Sequence, residues 1–185
     1  MDKLKLNKKI YFHGVIILLC FLPASINAQQ IAIKTNVIAD IAMLPCIGTE
    51  LVIGEKTSLN IELSGTVVKP WKMDLNTTIG SIQYRYWVSQ RSMTQFFCGT
   101  GLKAGSYTYN NNKDIFGGDI AVLEILTGYA WPLSKRWNIE VIYGWGGLMQ
   151  HMFQFPTNNK QEISTNLKYD IITTSLGINI VCILK

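Results

Sequence analysis

The chain has 185 residues, 48% of them hydrophobic and only 16% charged, with a formal net charge of +5. A mean hydropathy of +0.18 excludes a disordered chain, because there is ample apolar surface to offset the entropy of ordering. The basic balance does not mark a nucleic-acid binder. Lys3, Lys5, Lys8 and Lys9 against Asp2 place +3 in the first 28 residues, which leaves +2 for the rest and no Lys or Arg run to track phosphates.

The N-terminus reads as an address. Residues 1–9 are basic, residues 10–22 are mostly apolar, Pro23-Ala24-Ser25 breaks the run, and Ile26-Asn27-Ala28 offers a cleavage site. That is the three-part pattern of a secretory signal peptide over residues 1–28, and its apolar run is short of the ~20 residues of a spanning helix. The mature domain is expected over residues 29–185. Its cysteines, Cys46, Cys98 and Cys182, are odd in number and widely spaced, and its one histidine is His151. Neither a disulfide framework nor a metal set follows from that pattern, and no cofactor is expected.

From Gln29 onward, polar and apolar residues alternate with period two over eight stretches, the signature of half-buried strands. Residues 33–41 set Lys34 and Asp40 opposite Ile33, Val37 and Ile41. Residues 47–54 set Glu50 opposite Leu51 and Ile53. Residues 58–68 are the cleanest, with Ser58, Asn60, Glu62, Ser64 and Thr66 against Leu59, Ile61, Leu63, Gly65 and Val67. Residues 77–88 oppose Gln83 and Arg85 to Ile82, Tyr84 and Tyr86, and residues 96–109 oppose Lys103 to Phe96, Leu102 and Ala104. Residues 119–131 carry Glu124 on a face shared with Ile120, Val122 and Leu126. Residues 137–149 place Asn138 and Glu140 against Trp137, Val141, Tyr143 and Trp145, and residues 169–184 carry Asn179 in a less regular alternation.

The connections alternate as well. A tight first hairpin is expected around residues 44–46. Residues 54–57, 89–94 and 132–136 are short, whereas residues 69–76, 110–118 and 156–166 are longer, polar and rich in Asn and Lys. An even number of antiparallel strands with short turns at one end and longer loops at the other describes an all-β, eight-stranded, up-and-down transmembrane barrel. In that fold an isolated charge facing lipid at mid-depth costs about 2–4 kcal/mol. Lys34, Asp40, Glu50, Glu62, Arg85, Lys103, Glu124 and Glu140 are therefore expected to point inward as a lumen charge network, with Arg85 bridging Glu62 and Glu140. The opposite face becomes apolar, with Tyr84, Tyr86, Phe96, Tyr129, Trp131 and Trp137 clustered near the short turns as an interfacial girdle.

Lys34-Thr35-Asn36, Lys69-Pro70-Trp71-Lys72, Tyr84-Arg85-Tyr86-Trp87 and the run from Gly128 through Trp131-Pro132-Leu133-Ser134 to Glu140 carry a family likeness. Over about residues 30–181 the chain resembles the domain-of-unknown-function family 3575, small exported proteins of Gram-negative bacteria held to be outer-membrane barrels. The resemblance implies a fold and a place, with no chemistry attached.

An enzymatic reading rests on Ser106, Asp119 and His151, all expected outward near the loop ends of their strands. No serine stands two positions after His151, and the sixth strand separates the fifth from the seventh, so no catalytic residue is expected. The expected function is that of a non-enzymatic outer-membrane barrel with a structural or surface-interaction role and a charge-plugged lumen. Its expected partners are outer-membrane lipid and lipopolysaccharide, the barrel-assembly machinery, and a surface-assembly or fimbrial protein. The alternatives are a soluble periplasmic or secreted barrel for an apolar ligand, and a lipid A-modifying enzyme.

Overall fold

A computed structural model of the chain describes residues 30–66, 74–89, 91–111, 114–156, 163–164 and 167–184. The expected signal peptide and the Lys69-Pro70-Trp71-Lys72 motif lie outside the described residues. The elements in chain order are β1 (Ile31–Asn36), α1 (Val37–Ile41), β2 (Cys46–Gly54), β3 (Thr57–Gly65), β4 (Asp74–Trp87), β5 (Gln95–Asn111), β6 (Asp114–Pro132), β7 (Trp137–Pro156), β8 (Ile163–Ser164) and β9 (Lys168–Ile183). Every neighbouring pair is antiparallel. β9 pairs with both β1 and β7, so the sheet closes on itself as a ring of eight strands, with the two-residue β8 added beside β7.

Alternation in the chain becomes the two faces of the wall, because successive side chains of a strand point to opposite sides. On β4, Ser81, Gln83, Arg85 and Trp87 are buried in the lumen while Ile82, Tyr84 and Tyr86 are exposed. On β7, Asn138, Glu140 and Ile142 are buried while Val141, Tyr143 and Trp145 are exposed. The turn end carries residues 55–56, 88–89, 91–94 and 133–136, and it is closed by a small apolar cluster. Met93 folds back from the β4–β5 turn to pack with Trp87, Phe97, Val52, Ala130 and Ile142. Its carbonyl accepts from Asn138 Nδ2 at 2.7 Å, and Ser92 Oγ donates to Glu55 O at 2.8 Å. Gly128 makes room for this cluster: a Cβ there would lie 2.5 Å from the Phe97 ring and 2.4 Å from the Val141 carbonyl.

Three expectations change. The first strand does not run to Ile41 but stops at Asn36, whose Oδ1 accepts from Ile38 N and Ala39 N and so caps the short helix α1. The connection to β2 is therefore this helical turn, ended by Met43 at φ 60°, and not a tight hairpin at residues 44–46. The long loop expected at residues 110–118 is strand instead. β5 and β6 pair up to Asn111↔Asp114, with only residues 112 and 113 between them. The wall is consequently uneven, since β1 to β3 span 6, 9 and 9 residues and β5 to β7 span 17, 19 and 20.

Candidate functional site: the charge network of the lumen

Above the apolar cluster the lumen is crossed by ionisable side chains from seven strands. Arg85, fully buried, is the centre. Its Nη1 lies 3.1 Å from Glu50 Oε2 and 3.0 Å from Glu140 Oε2, and its Nη2 lies 3.8 Å from Glu62 Oε1. Its Nε and Nη2 donate to Gln83 Oε1 at 3.2 and 2.7 Å, and the Phe97 ring lies 4.8 Å below the guanidinium. The planar fork thus meets carboxylates along its edge and an aromatic ring on its face, which suits Arg better than Lys.

Around this centre the charges alternate in sign. Lys34 Nζ stands 2.6 Å from Glu50 Oε2 and 3.7 Å from Glu140 Oε1. The other Glu50 oxygen accepts from Ser58 Oγ at 2.5 Å, and Ser58 in turn accepts from Trp87 Nε1 at 2.9 Å. Asn179 Nδ2 donates to Glu140 at 2.7 Å, and Asn60 Nδ2 donates to Glu62 and Gln83 at 2.7 and 2.9 Å. Gln83 Nε2 carries the chain on to Glu124 Oε1 at 3.2 Å. A second centre forms there. Glu124 Oε2 accepts from Thr174 and Ser175 at 2.6 and 2.8 Å and lies 3.3 Å from Lys103 Nζ, which itself donates to Thr174 O and Ser175 Oγ. Buried carboxylates are tolerated when each is paired and hydrogen-bonded, and every one of these is.

Space for so many long side chains in a narrow barrel comes from the glycines opposite them. Gly48 sits between Lys34 and Glu62 in one inward row, and a Cβ there would lie 2.8 Å from Glu62 Cγ and 3.0 Å from Lys34 Cγ. Toward the loop end the packing loosens. Glu62 and Lys103 are half-buried, and the lumen-facing oxygens Asn60 Oδ1 and Ser81 Oγ have no protein partner.

Seven of the eight sequence-predicted residues meet in this network: Lys34, Glu50, Glu62, Arg85, Lys103, Glu124 and Glu140. Asp40 does not. It is exposed on α1, where its carboxylate accepts from Thr35 Oγ1 at 2.6 Å and from Cys46 N at 3.1 Å, holding the β1–β2 connection together. The lumen cluster therefore has one excess acid over its bases, where the sequence suggested two. The pairing of Arg85 with Glu140 is as expected, but Glu50 is its second close partner and Glu62 its third. The alternation also gave no sign of Thr174 and Ser175. A bulge opposite Gly144 and Trp145 lets Ser175 pair with Gly144 and Thr173 with Trp145, so Thr174 is an extra residue and the phase of β9 flips there. That flip is why residues 169–184 looked irregular.

Outside the wall, Ser106, Asp119 and His151 stand in one cross-strand row with Thr78: Thr78↔Ser106, Ser106↔Asp119, Asp119↔His151. Ser106 and His151 are two strand spacings apart, about 10 Å, so Asp119 separates them and they form no direct serine–histidine pair. Cys46, Cys98 and Cys182 are free thiols, and among the described residues no His, Cys, Asp and Glu side chains group to hold a metal ion.

A family model described as a protein of unknown function (DUF3575) matches residues 14–184. No curated protein and no solved structure matches the chain.

Proposed function

The chain belongs to the DUF3575 family, and we propose that it is a small, non-enzymatic outer-membrane β-barrel with a structural or surface-interaction role and a lumen closed by paired charges. The observation that carries this is the inverted polarity of the wall. Below the row Thr78–Ser106–Asp119–His151 and down to the turns, the outward positions of β4 to β7 carry no Asp, Glu, Lys, Arg or His. On β7 that stretch runs from Ile139 to Met149, eleven residues whose successive rises add to about 33 Å of strand, which at a tilt of about 40° is a band about 25 Å tall. This is the height of the apolar belt of an outer-membrane barrel. Tyr84, Tyr86, Phe96, Tyr129, Trp131 and Trp137 are all exposed toward the turn end, and Lys56, Arg91, Lys135 and Arg136 lie in or beside the turns beyond them.

A soluble carrier of an apolar ligand has the opposite arrangement, with an apolar interior and a polar coat. The ion pairs of Arg85 and Glu124 occupy the interior such a ligand would need. In this reading the signal peptide directs export, the barrel-assembly machinery inserts the chain, and lipid and lipopolysaccharide surround it. Electrophoresis of the outer-membrane fraction tests the proposal: the unheated protein migrates ahead of the heated one, as an intact barrel does. Recovery in the soluble periplasmic fraction overturns it.

A further inference from the structure

Each of the three short turns carries a base. Lys56 stands in the β2–β3 turn, Arg91 in the β4–β5 turn, and Lys135 and Arg136 in the β6–β7 turn, so the four are distributed round the ring. Arg91, Lys135 and Arg136 are exposed and Lys56 is half-buried. Glu55 is the one acid of these turns; Gln90, which lies outside the described residues, adds no charge, and Gln29 and Lys185 beyond the described ends bring no acidic side chain. Among the described residues none of the four bases lies within 4.0 Å of a carboxylate. The backbone under them is braced. Lys56 O accepts from Trp87 N at 2.8 Å, and Arg91 O accepts from Ser89 Oγ at 2.6 Å. Ser134 Oγ accepts from the N–H groups of Arg136 and Trp137 at 3.3 and 3.2 Å.

A fixed collar of unneutralised bases just past the exposed ring of Tyr84, Tyr86, Phe96, Tyr129, Trp131 and Trp137 stands at the depth of lipid phosphates. Its distribution selects the partner. A compact anion or an acidic peptide is held where bases converge, and these are set on three separate turns. A lipid leaflet presents phosphates on every side of the barrel at once. Zwitterionic heads carry their own ammonium beside each phosphate and gain little from further bases, whereas heads of net negative charge gain at each one. The short turns of an outer-membrane barrel lie on the periplasmic side, which makes this the periplasmic leaflet.

We infer that the turn end docks anionic phospholipid of the leaflet around it, with Lys56, Arg91, Lys135 and Arg136 receiving the phosphates. The inference rests on the outer-membrane reading above. It is tested on the full chain in detergent at low salt, given equal amounts of phosphatidylglycerol and phosphatidylcholine with the same chains, by counting retained lipid in native mass spectrometry. Wild type is expected to prefer phosphatidylglycerol about fivefold per retained lipid, and high salt erodes the preference. Lys56→Gln, Arg91→Gln, Lys135→Gln and Arg136→Gln combined in one chain bring the two lipids to parity, and Glu55→Lys, which adds a base to the collar, raises the preference. The heat-dependent gel shift is retained throughout. Equal retention of the two lipids by wild type, or an unchanged preference in the fourfold variant, overturns the collar while the gel shift leaves the barrel standing. Should the fourfold variant lose the shift, an unchanged ratio in Glu55→Lys overturns it equally. Wild type that shows no lipid preference yet sediments with purified peptidoglycan gives the collar to the cell wall and overturns the lipid assignment. A chain that shows no gel shift and stays in solution without detergent overturns the membrane reading, and the collar falls with it.

Discussion

Arg85 shows how one side chain holds four strands at once. It reaches Glu50 on β2, Glu62 on β3 and Glu140 on β7 from its own place on β4, with no exposed surface. Deleting it leaves three carboxylates with fewer cations than charges, and breaking a buried pair of this kind costs about 3–5 kcal/mol. Val141 is an outward neighbour on β7, exposed in an apolar band, where Leu fits as well. Thermal unfolding in detergent should therefore fall markedly for Arg85→Ala and stay near wild type for Val141→Leu. Identical melting of both variants and wild type would mean that the charged face is not the buried one.

At the scale of the element, β9 is the strand whose pattern least resembles its neighbours. Its upper part presents Tyr169, Ile171 and Thr173 outward, and its lower part presents Leu176, Ile178 and Ile180, so the parity changes at Thr174. A strand without the extra residue would turn one of those apolar sets into the lumen, since a shift of one position exchanges the faces. Deletion of Thr174 is accordingly expected to abolish the gel-shifted, folded species. Thr174→Ala, which loses only the hydroxyl bond to Glu124, retains it at a cost of about 1–3 kcal/mol in unfolding free energy. α1 is a similar local decision: Asn36 caps it, and Asp40 ties its end to Cys46, so β1 ends after 6 residues.

For the whole molecule the outer band and the closed lumen carry separate expectations. Ile125 lies in the row Tyr84–Thr100–Ile125–Trp145, near the middle of the band. Ile125→Lys should cost about 2–4 kcal/mol in folding into lipid vesicles, whereas Leu133→Lys, in the β6–β7 turn, should cost about 1 or less. Equal costs at the two sites would remove the case for a membrane-spanning wall. Across the lumen, the ion pairs of Arg85 lie over the buried cluster of Met93, Trp87 and Phe97. Wild type reconstituted in a planar bilayer is thus expected to give no stable conductance steps; steady channel openings would show the plug to be a gate.

What the sequence determined by itself was the phase of the strands, and with it which side chains share a face. Period two is a property of a few consecutive residues, so Lys34, Glu50, Glu62, Arg85, Lys103, Glu124 and Glu140 could be assigned to one side without knowing their neighbours. Partners were another matter. Arg85 meets Glu50 across 35 residues of chain and Glu140 across 55, and only ring closure and register bring them together. The same holds for the row of Ser106, Asp119 and His151, which exists because β5, β6 and β7 pair without a slip. Asp40 and Thr174 mark the other limit. A cap on α1 and a bulge on β9 each break the period locally, and nothing in the alternation distinguishes such a break from noise until the facing strand shows which residue has no counterpart.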